Sequence, residues 1–274
     1  MSLRINHNIS AMNTHRQLIH TDKMLASSLE KLSSGLRINR AADDSAGLAI
    51  SQRLRSQVDG LKMASQNAEQ AKNMVQTAEG FLNEIHNMLG RMRELAVQAA
   101  SDTVDDTNRA SLNAEFALLR DEIDRIASAA EYNNQKLLDG TFTNKQYQIG
   151  ADGETDNQLQ FSISGVSSIS LAIDTSSITT LAGAVTAMTD ISDAIDTVSS
   201  VRSDLGTIQN RLAYTVSSVD NAAENLASSE STIRDLDISN EITEFTKSQI
   251  LVQAGMAMLA QANAVPQNVL ALFR

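Results

Sequence analysis

From Leu61 onward the apolar positions Leu61, Ala64, Ala68, Ala71, Val75, Ala78, Leu82, Ile85, Leu89, Met92, Ala96 and Ala99 advance in alternating steps of three and four. This is a heptad seam. It predicts a single helix, starting near Ser45, that is far longer than the ordinary globular helix of ~11 residues. A second seam, Leu112, Phe116, Leu119, Ile123 and Ile126, lies between Asn108 and Ala130 after the turn-like SDTVDDTN. It predicts a helix folded back antiparallel on the first. A third runs through Ile195, Val198, Leu205, Ile208, Leu212, Val219, Leu226 and Ile233, so the pattern describes a bundle that the chain leaves and re-enters.

Between these helices, residues 133–183 change period. NNQKLLDG, YQIGADGETDNQLQFSISG and SISLAIDTSS show two-residue alternation, β-branched side chains and Gly-Asp turns, which predict short strands and a hairpin. At the ends of the chain, Ile5, Ile9, Met12, Leu18, Leu25, Leu29, Leu32 and Leu36 form one amphipathic seam, and Ile242, Phe245, Val252, Met256 and Leu259 another. Paired as a two-helix coiled coil, these termini keep apolar side chains on their outer faces, and those faces call for other copies. The predicted fold is mainly α: a long antiparallel coiled-coil bundle with paired N- and C-terminal helices and a small β-hairpin patch mid-chain.

Composition agrees. Apolar residues are 42% of the 274 but aromatics only 3%, with no tryptophan and one proline, so apolar surface comes in small pieces suited to helix seams. A formal charge of −11 argues against a nucleic-acid partner, whose phosphates need Lys and Arg. The absence of cysteine removes disulfides, thiol catalysis and cysteinyl metal sites. The N-terminal MSLRINHNISAMNTHRQL lacks the apolar core of a secretory signal, and no run approaches the ~18 apolar residues of a membrane span. Taken alone, these features point to the cytoplasm.

No catalytic constellation emerges. The histidines His7, His15, His20 and His86 include no H-E-x-x-H arrangement, and they are expected on solvated helix surfaces. Asp152, Glu154 and Asp156 resemble the start of a calcium loop, but Asn157 and Ile163 replace its glycine and its final glutamate. The prediction is therefore a non-enzyme without cofactor or metal. In LEKLSSGLRINRAADDSAGLAIS, residues 29–51, Ser33, Ser34 and Gly35 weaken helix propensity. Asp43 and Asp44 are placed to cap the long helix that follows. The stretch reads as a joint between two helical rods.

That stretch, with RMRELAVQAA at 91–100, EYNNQKLLDG at 131–140, IGADGETD at 149–156, VRSDLGTIQNRL at 201–212 and SQILVQAGMAMLAQANAVPQNVLALFR at the C-terminus, closely resembles bacterial flagellin. The resemblance is collinear everywhere except residues 165–190. It implies a subunit of the flagellar filament, in a short form without variable outer domains. Residues 1–42 with 237–274 would form an inner coiled-coil domain, and residues 43–236 a rod with its β-rich segment at about 133–183. It also replaces the cytoplasmic expectation with an extracellular filament, exported unfolded without a cleaved signal.

The implied partners are identical subunits, an export chaperone, cap and hook-junction proteins and a host innate immune receptor, with no nucleic acid and no membrane. By position, Arg91, Leu95 and Glu115 match contacts of a vertebrate Toll-type receptor, and Glu30–Ser51 matches the peptide bound by plant receptor kinases. Arg37, Asn39, Arg40, Asp43 and Asp44 become candidate residues of the spoke between the domains and of subunit interfaces. Leu25, Leu29, Leu32, Leu36, Phe245, Val252, Met256 and Leu259 become candidates for the terminal coiled-coil seam. The competing reading is a soluble coiled-coil adaptor or hook-junction protein that caps a filament rather than extending it.

Overall fold

The computed structural model describes the backbone of residues 7–272 and the side chains of residues 7–264. Ile5 of the N-terminal seam and the side chains of the final VPQNVLALFR lie outside it. The elements in chain order are α1 (Ile9–Ser34), α2 (Ser45–Ala99), α3 (Asp106–Ala129), β1 (Glu131–Tyr132), β2 (Gln135–Lys136), β3 (Lys145–Gln148), β4 (Gln158–Phe161), α4 (Leu181–Arg234) and α5 (Ile238–Leu272). They form two compact units, Met1–Ser56 with Asn225–Arg274, and Gln57–Glu224. The division falls within α2 and within α4.

In the larger unit the heptad seam of α2 is the core. Every one of its positions from Ala64 to Ala99 is buried, and Leu61 is half-buried. α3 supplies Phe116, Ile123 and Ala127 to the same cluster. α4 supplies Ala184, Ala187, Ile191, Ala194, Val198, Val201, Leu205 and Leu212. The helix α4 begins before the late seam read from the sequence, because its first turns pack through alanines, whose spacing is easily overlooked beside larger residues. Alanine on facing positions lets helix axes approach closely while keeping helix propensity high.

The turn from α2 to α3 is built around one buried cation. Arg109 donates from Nε to the Ala99 carbonyl at 2.9 Å, and from Nη2 to the carbonyls of Val104 at 2.9 Å and Ser101 at 3.3 Å. Its Nη1 meets Asp106 at 2.8 Å. The guanidinium thus ties the last carbonyl of α2, which no helical N–H reaches, to two carbonyls of the turn that follows. Asp105 caps α3 by accepting from the Asn108 N–H at 2.8 Å.

Two antiparallel two-stranded sheets follow, β1 with β2 and β3 with β4. In the first, Asn133 and Asn134 both take positive φ, 48° and 64°, the geometry of a type I′ hairpin turn made here without glycine. In the second, Tyr147 stacks on Phe161 with ring centroids 5.0 Å apart. Burial raises the Tyr147 pKa.

The strand read into SISLAIDTSS does not form: Ser168–Ala172 is a turn, and the rest of the segment up to Thr180 is irregular. Its apolar residues Leu171, Ile173 and Ile178 are buried all the same. Polar side chains of α3 supply the hydrogen bonds that a neighbouring strand would have given. Asp124 accepts from the Ser168 N–H and hydroxyl, both at 2.7 Å. Asn113 accepts from the Ile178 N–H at 2.9 Å, and Arg120 donates to the Asp174 carbonyl at 2.9 Å. Arg120 is therefore partly committed to holding this loop.

The Arg109 fork yields a stability prediction. Arg109→Ala leaves several carbonyls without their donor and should lower the urea midpoint, with a loss of about 2–4 kcal/mol. Arg109→Lys should recover only part of it, because an ammonium lacks the planar fork.

Candidate functional site

In the smaller unit, α1 lies antiparallel to α5. The Asn8 amide donates to the Ala262 carbonyl at 2.8 Å, while at the other end the Leu236 N–H donates to the Gly35 carbonyl at 3.0 Å. Asn8 also caps α1 by accepting from the Ala11 N–H.

The facing side chains are Leu18, Thr21, Leu25, Ser28 and Leu32 on α1 and Phe245, Ser248, Val252, Gly255 and Leu259 on α5, each set stepping by three and four. Large and small residues alternate. The fully buried members are the small ones, Thr21, Ser28 and Ser248. A Cβ on Gly255 would stand 3.1 Å from Leu18 Cδ1, so the helices come closest at the small positions.

This corrects the seam read from the sequence in three places. Leu29 is 56% exposed and Met256 52% exposed, and both sit on a flank of the pair rather than within it. Leu25, Leu32, Phe245, Val252 and Leu259 are half-buried and belong to both the inner seam and that flank. Leu36 lies beyond the helix, because Gly35 takes φ 71° and ends α1. Leu29 and Met256 fall on the flank because the buried positions of the seam are occupied partly by Ser, Thr and Gly.

The joint between α1 and α2 closes mostly on its own unit. Leu36 bridges Asp235 antiparallel, and the Arg37 N–H donates to the Arg234 carbonyl at 2.7 Å. The Arg37 guanidinium donates to the Ile233 carbonyl, an orphan acceptor at the end of α4. Asn39 donates from Nδ2 to the Ser34 hydroxyl at 2.7 Å, and Arg40 pairs with Glu30 at 2.9 Å. Asp237 starts α5 by accepting from the N–H groups of Ser239 and Asn240.

The two aspartates have separate tasks. Asp44 caps α2, accepting from the Gly47 N–H at 2.8 Å. Asp43 does not cap it: one carboxylate oxygen accepts from the N–H groups of Arg40 at 2.9 Å and Asn39 at 3.1 Å. These bonds, with Arg40 first, hold the Asp43 pKa below its ordinary value. Ile38 is buried against Gly47, where an added Cβ would meet Ile38 Cδ1 at 2.8 Å and also the Asp44 carboxylate. The lack of a side chain at Gly47 is therefore what lets the capped turn close over Ile38.

In the larger unit Arg91 donates to Glu115 from Nε at 2.9 Å and Nη2 at 2.8 Å, and to Glu94 at 3.0 Å. The bond to Glu115 is the main cause that raises the Arg91 pKa. Arg91 and Glu115 are exposed, but Leu95 is 1% exposed and is part of the core. The three positions are thus one surface pair over one packing residue, and Leu95 does not present a contact surface.

His7, His15 and His20 are exposed, whereas His86 is half-buried with Nδ1 lacking a hydrogen-bond partner. Asp152, Glu154 and Asp156 are exposed around a turn. Among the described residues, no group of three or more His, Cys, Asp and Glu is placed to hold a metal ion.

Two family models match the chain: the bacterial flagellin N-terminal helical region over residues 5–143, and the bacterial flagellin C-terminal helical region over residues 188–273. Flagellin of Halalkalibacterium halodurans is 47% identical over 98% of this chain and 99% of its own length. Flagellin of Bacillus subtilis is 42% identical over 99% and 100%. Of solved structures, Bacillus cereus flagellin aligns with a TM-score of 0.51 at 29% identity, covering 60% of this chain and 94% of that one. A putative flagellar hook-associated protein of Vibrio parahaemolyticus shares the fold, with a TM-score of 0.60 at 14% identity over 70% and 100%.

The Asp43 loop gives a pH prediction with a definite sign. A carboxylate pKa depressed in the folded state stabilises the loop above the ordinary value of 3.8, and the contribution is lost as pH falls through the lower folded value. The protection of the Asn39 and Arg40 amides, measured against their intrinsic exchange rates, should fall over that acid window. In Asp43→Asn that protection should already be low at neutral pH, with little further change on acidification.

Proposed function

The chain belongs to the bacterial flagellin family, and on that footing we propose that its terminal helices drive polymerisation through the apolar stripes that the α1·α5 pair leaves bare. It is a structural, non-enzymatic subunit of the extracellular flagellar filament that serves motility. No helix among the described residues is long and apolar enough to cross a membrane.

One observation carries the mechanism: the pair buries its small-residue seam and leaves large side chains outside. Ile9, Met12, Ile19, Met24 and Leu29 are exposed on α1, and Ile238, Ile242, Ile250, Leu251, Met256 and Met258 on α5. On α5 these residues spread over both flanks and the back of the helix. No charged residue occurs between Lys247 and Arg274. With large apolar side chains on several of its faces, α5 is suited to burial on more than one side, and each such side chain taken from water contributes about 1.5–3 kcal/mol. The occupant is a further copy of this chain, because family membership makes the chain a repeating subunit. A head-to-tail contact between identical units that does not close propagates as a helix.

In this reading residues 1–42 and 237–274 form the inner domain and residues 43–236 the rod. The terminal helices complete their folding on assembly, since few of their apolar side chains are buried before it. The same bare surface suits an export chaperone on α5 before polymerisation, and cap and hook-junction proteins at the filament ends. Arg37, Asn39, Arg40, Asp43 and Asp44 then act by shaping the spoke, because most of their polar groups already bond within the subunit. The immune-receptor reading rests on the exposed Arg91 and Glu115, with Leu95 acting from beneath by holding α2 in place.

Electron microscopy tests the assembly mechanism. The intact chain should form long filaments, and a chain ending before residue 237 should stay monomeric. The double variant Leu29→Asp with Ile242→Asp, which spares the inner seam, should retain its helical circular dichroism and lose polymerisation. Filaments of normal length from that variant would refute assembly through the bare stripes.

A further inference from the structure

Methionine is unusually prominent on the surface just described. Met12 and Met24 on α1 and Met256 and Met258 on α5 are between 40% and 62% exposed; in the larger unit Met74 and Met92 are 3% and 0% exposed, and Met63 is exposed at 56% but lies outside the terminal pair. By helical spacing, Met12 lies with Ile9 and Ile19 on the side of α1 away from the seam. Met256 stands one turn from Val252 on the bare flank of α5, and Met258 lies near the exposed Leu251. Leucine would cover the same area with equal helix propensity. The thioether differs from it in one chemical respect: a two-electron oxidant converts it into a polar group.

Resting on the assembly reading above, we propose that Met12, Met24, Met256 and Met258 are a set of oxidation sites that make filament assembly sensitive to peroxide. The step balances without any cofactor. The sulfur lone pair attacks one peroxide oxygen, an S–O bond forms and the O–O bond breaks, and the second oxygen leaves as water. Sulfur is oxidised to the sulfoxide and hydrogen peroxide is reduced.

At Met256 and Met258 the product carries a strong S–O dipole on a stretch of α5 with no charged side chain between Lys247 and Arg274. Burying that dipole against another copy without a hydrogen-bond donor is unfavourable. An oxidised subunit therefore keeps its fold, whose core methionines are shielded, and loses its fit to the growing end. Assembly in turn covers the four sulfurs, so the filament is protected where the free subunit is not. Sulfoxide reduction by methionine sulfoxide reductases restores the apolar side chain.

The test exposes the purified full-length subunit to hydrogen peroxide, removes the oxidant with catalase, and follows polymerisation by light scattering while peptide mass spectrometry locates each sulfoxide. The expected result is oxidation at the four terminal-helix methionines and at the exposed Met63, with Met74 and Met92 spared, unchanged helical circular dichroism, and growth slowed on the order of tenfold or more through the four terminal sites. Treatment with both sulfoxide reductases should restore the growth rate. Preformed filaments should show little oxidation at the four sites. The variant carrying Met12→Leu, Met24→Leu, Met256→Leu and Met258→Leu should polymerise equally well before and after peroxide.

Oxidised wild-type subunits that grow at the untreated rate would overturn the proposal, as would a quadruple variant that stays peroxide-sensitive or filaments that oxidise as readily as monomers. Failure of the untreated chain to polymerise at all is a different result: it refutes the assembly reading, and the switch with it.

Discussion

Two helices can lie close together only where the side chains between them are small, and both units of this protein depend on that constraint. With aromatics at 3% of the chain, no thick core is available to hold helices at a distance. In the larger unit the solution is alanine: Ala64, Ala68, Ala71, Ala78, Ala96 and Ala99 on α2 and Ala184, Ala187 and Ala194 on α4, interspersed with Leu, Ile, Val and Met, are buried together. In the smaller unit it is Thr21, Ser28, Ser248 and Gly255. Apolar area buried per residue is modest in such seams, so their length must supply the stability. That is a physical reason for helices of 55 and 54 residues.

The same constraint separates the two units by what is left outside. In the larger unit the buried seams take up most of the large apolar side chains, and the polar loop at 165–180 is tied down by Asp124, Asn113 and Arg120. In the smaller unit the small-residue seam satisfies the pair but leaves its Leu, Ile and Met on the flanks. This second unit carries the apolar surface proposed above to join copies of the chain. Met12, Met24, Met256 and Met258 sit on this second surface, from which the proposed assembly would remove water.

Local polar chemistry defines the ends of the helices. Arg109 at the end of α2, Arg37 at the end of α4 and Asp44 at the start of α2 each satisfy backbone groups that the helix itself leaves unpaired. Asp43, its immediate neighbour, instead closes the preceding turn on Asn39 and Arg40. Adjacent identical side chains thus perform different tasks because the backbone directs one toward the helix axis and the other back along the chain.

The sequence by itself determined the helical seams of α2 and α3, the joint at 29–51, the two-residue period of the β patch and the family. Heptad spacing, turn chemistry and long collinear motifs are local properties of the chain, readable without a partner. Tertiary structure alone decided what depends on the identity of a neighbour. It turned SISLAIDTSS into a clamped turn, because α3 rather than a strand supplies its hydrogen-bond partners. It made Leu95 a core residue beneath an exposed Arg91–Glu115 pair. It also chose between two stripes on α1 and α5 with the same heptad spacing. Leu25 and Leu32 belong to both, and only the close approach of α5 shows that Ser28 faces inward while Leu29 faces out, since hydrophobicity ranks those two residues in the opposite order.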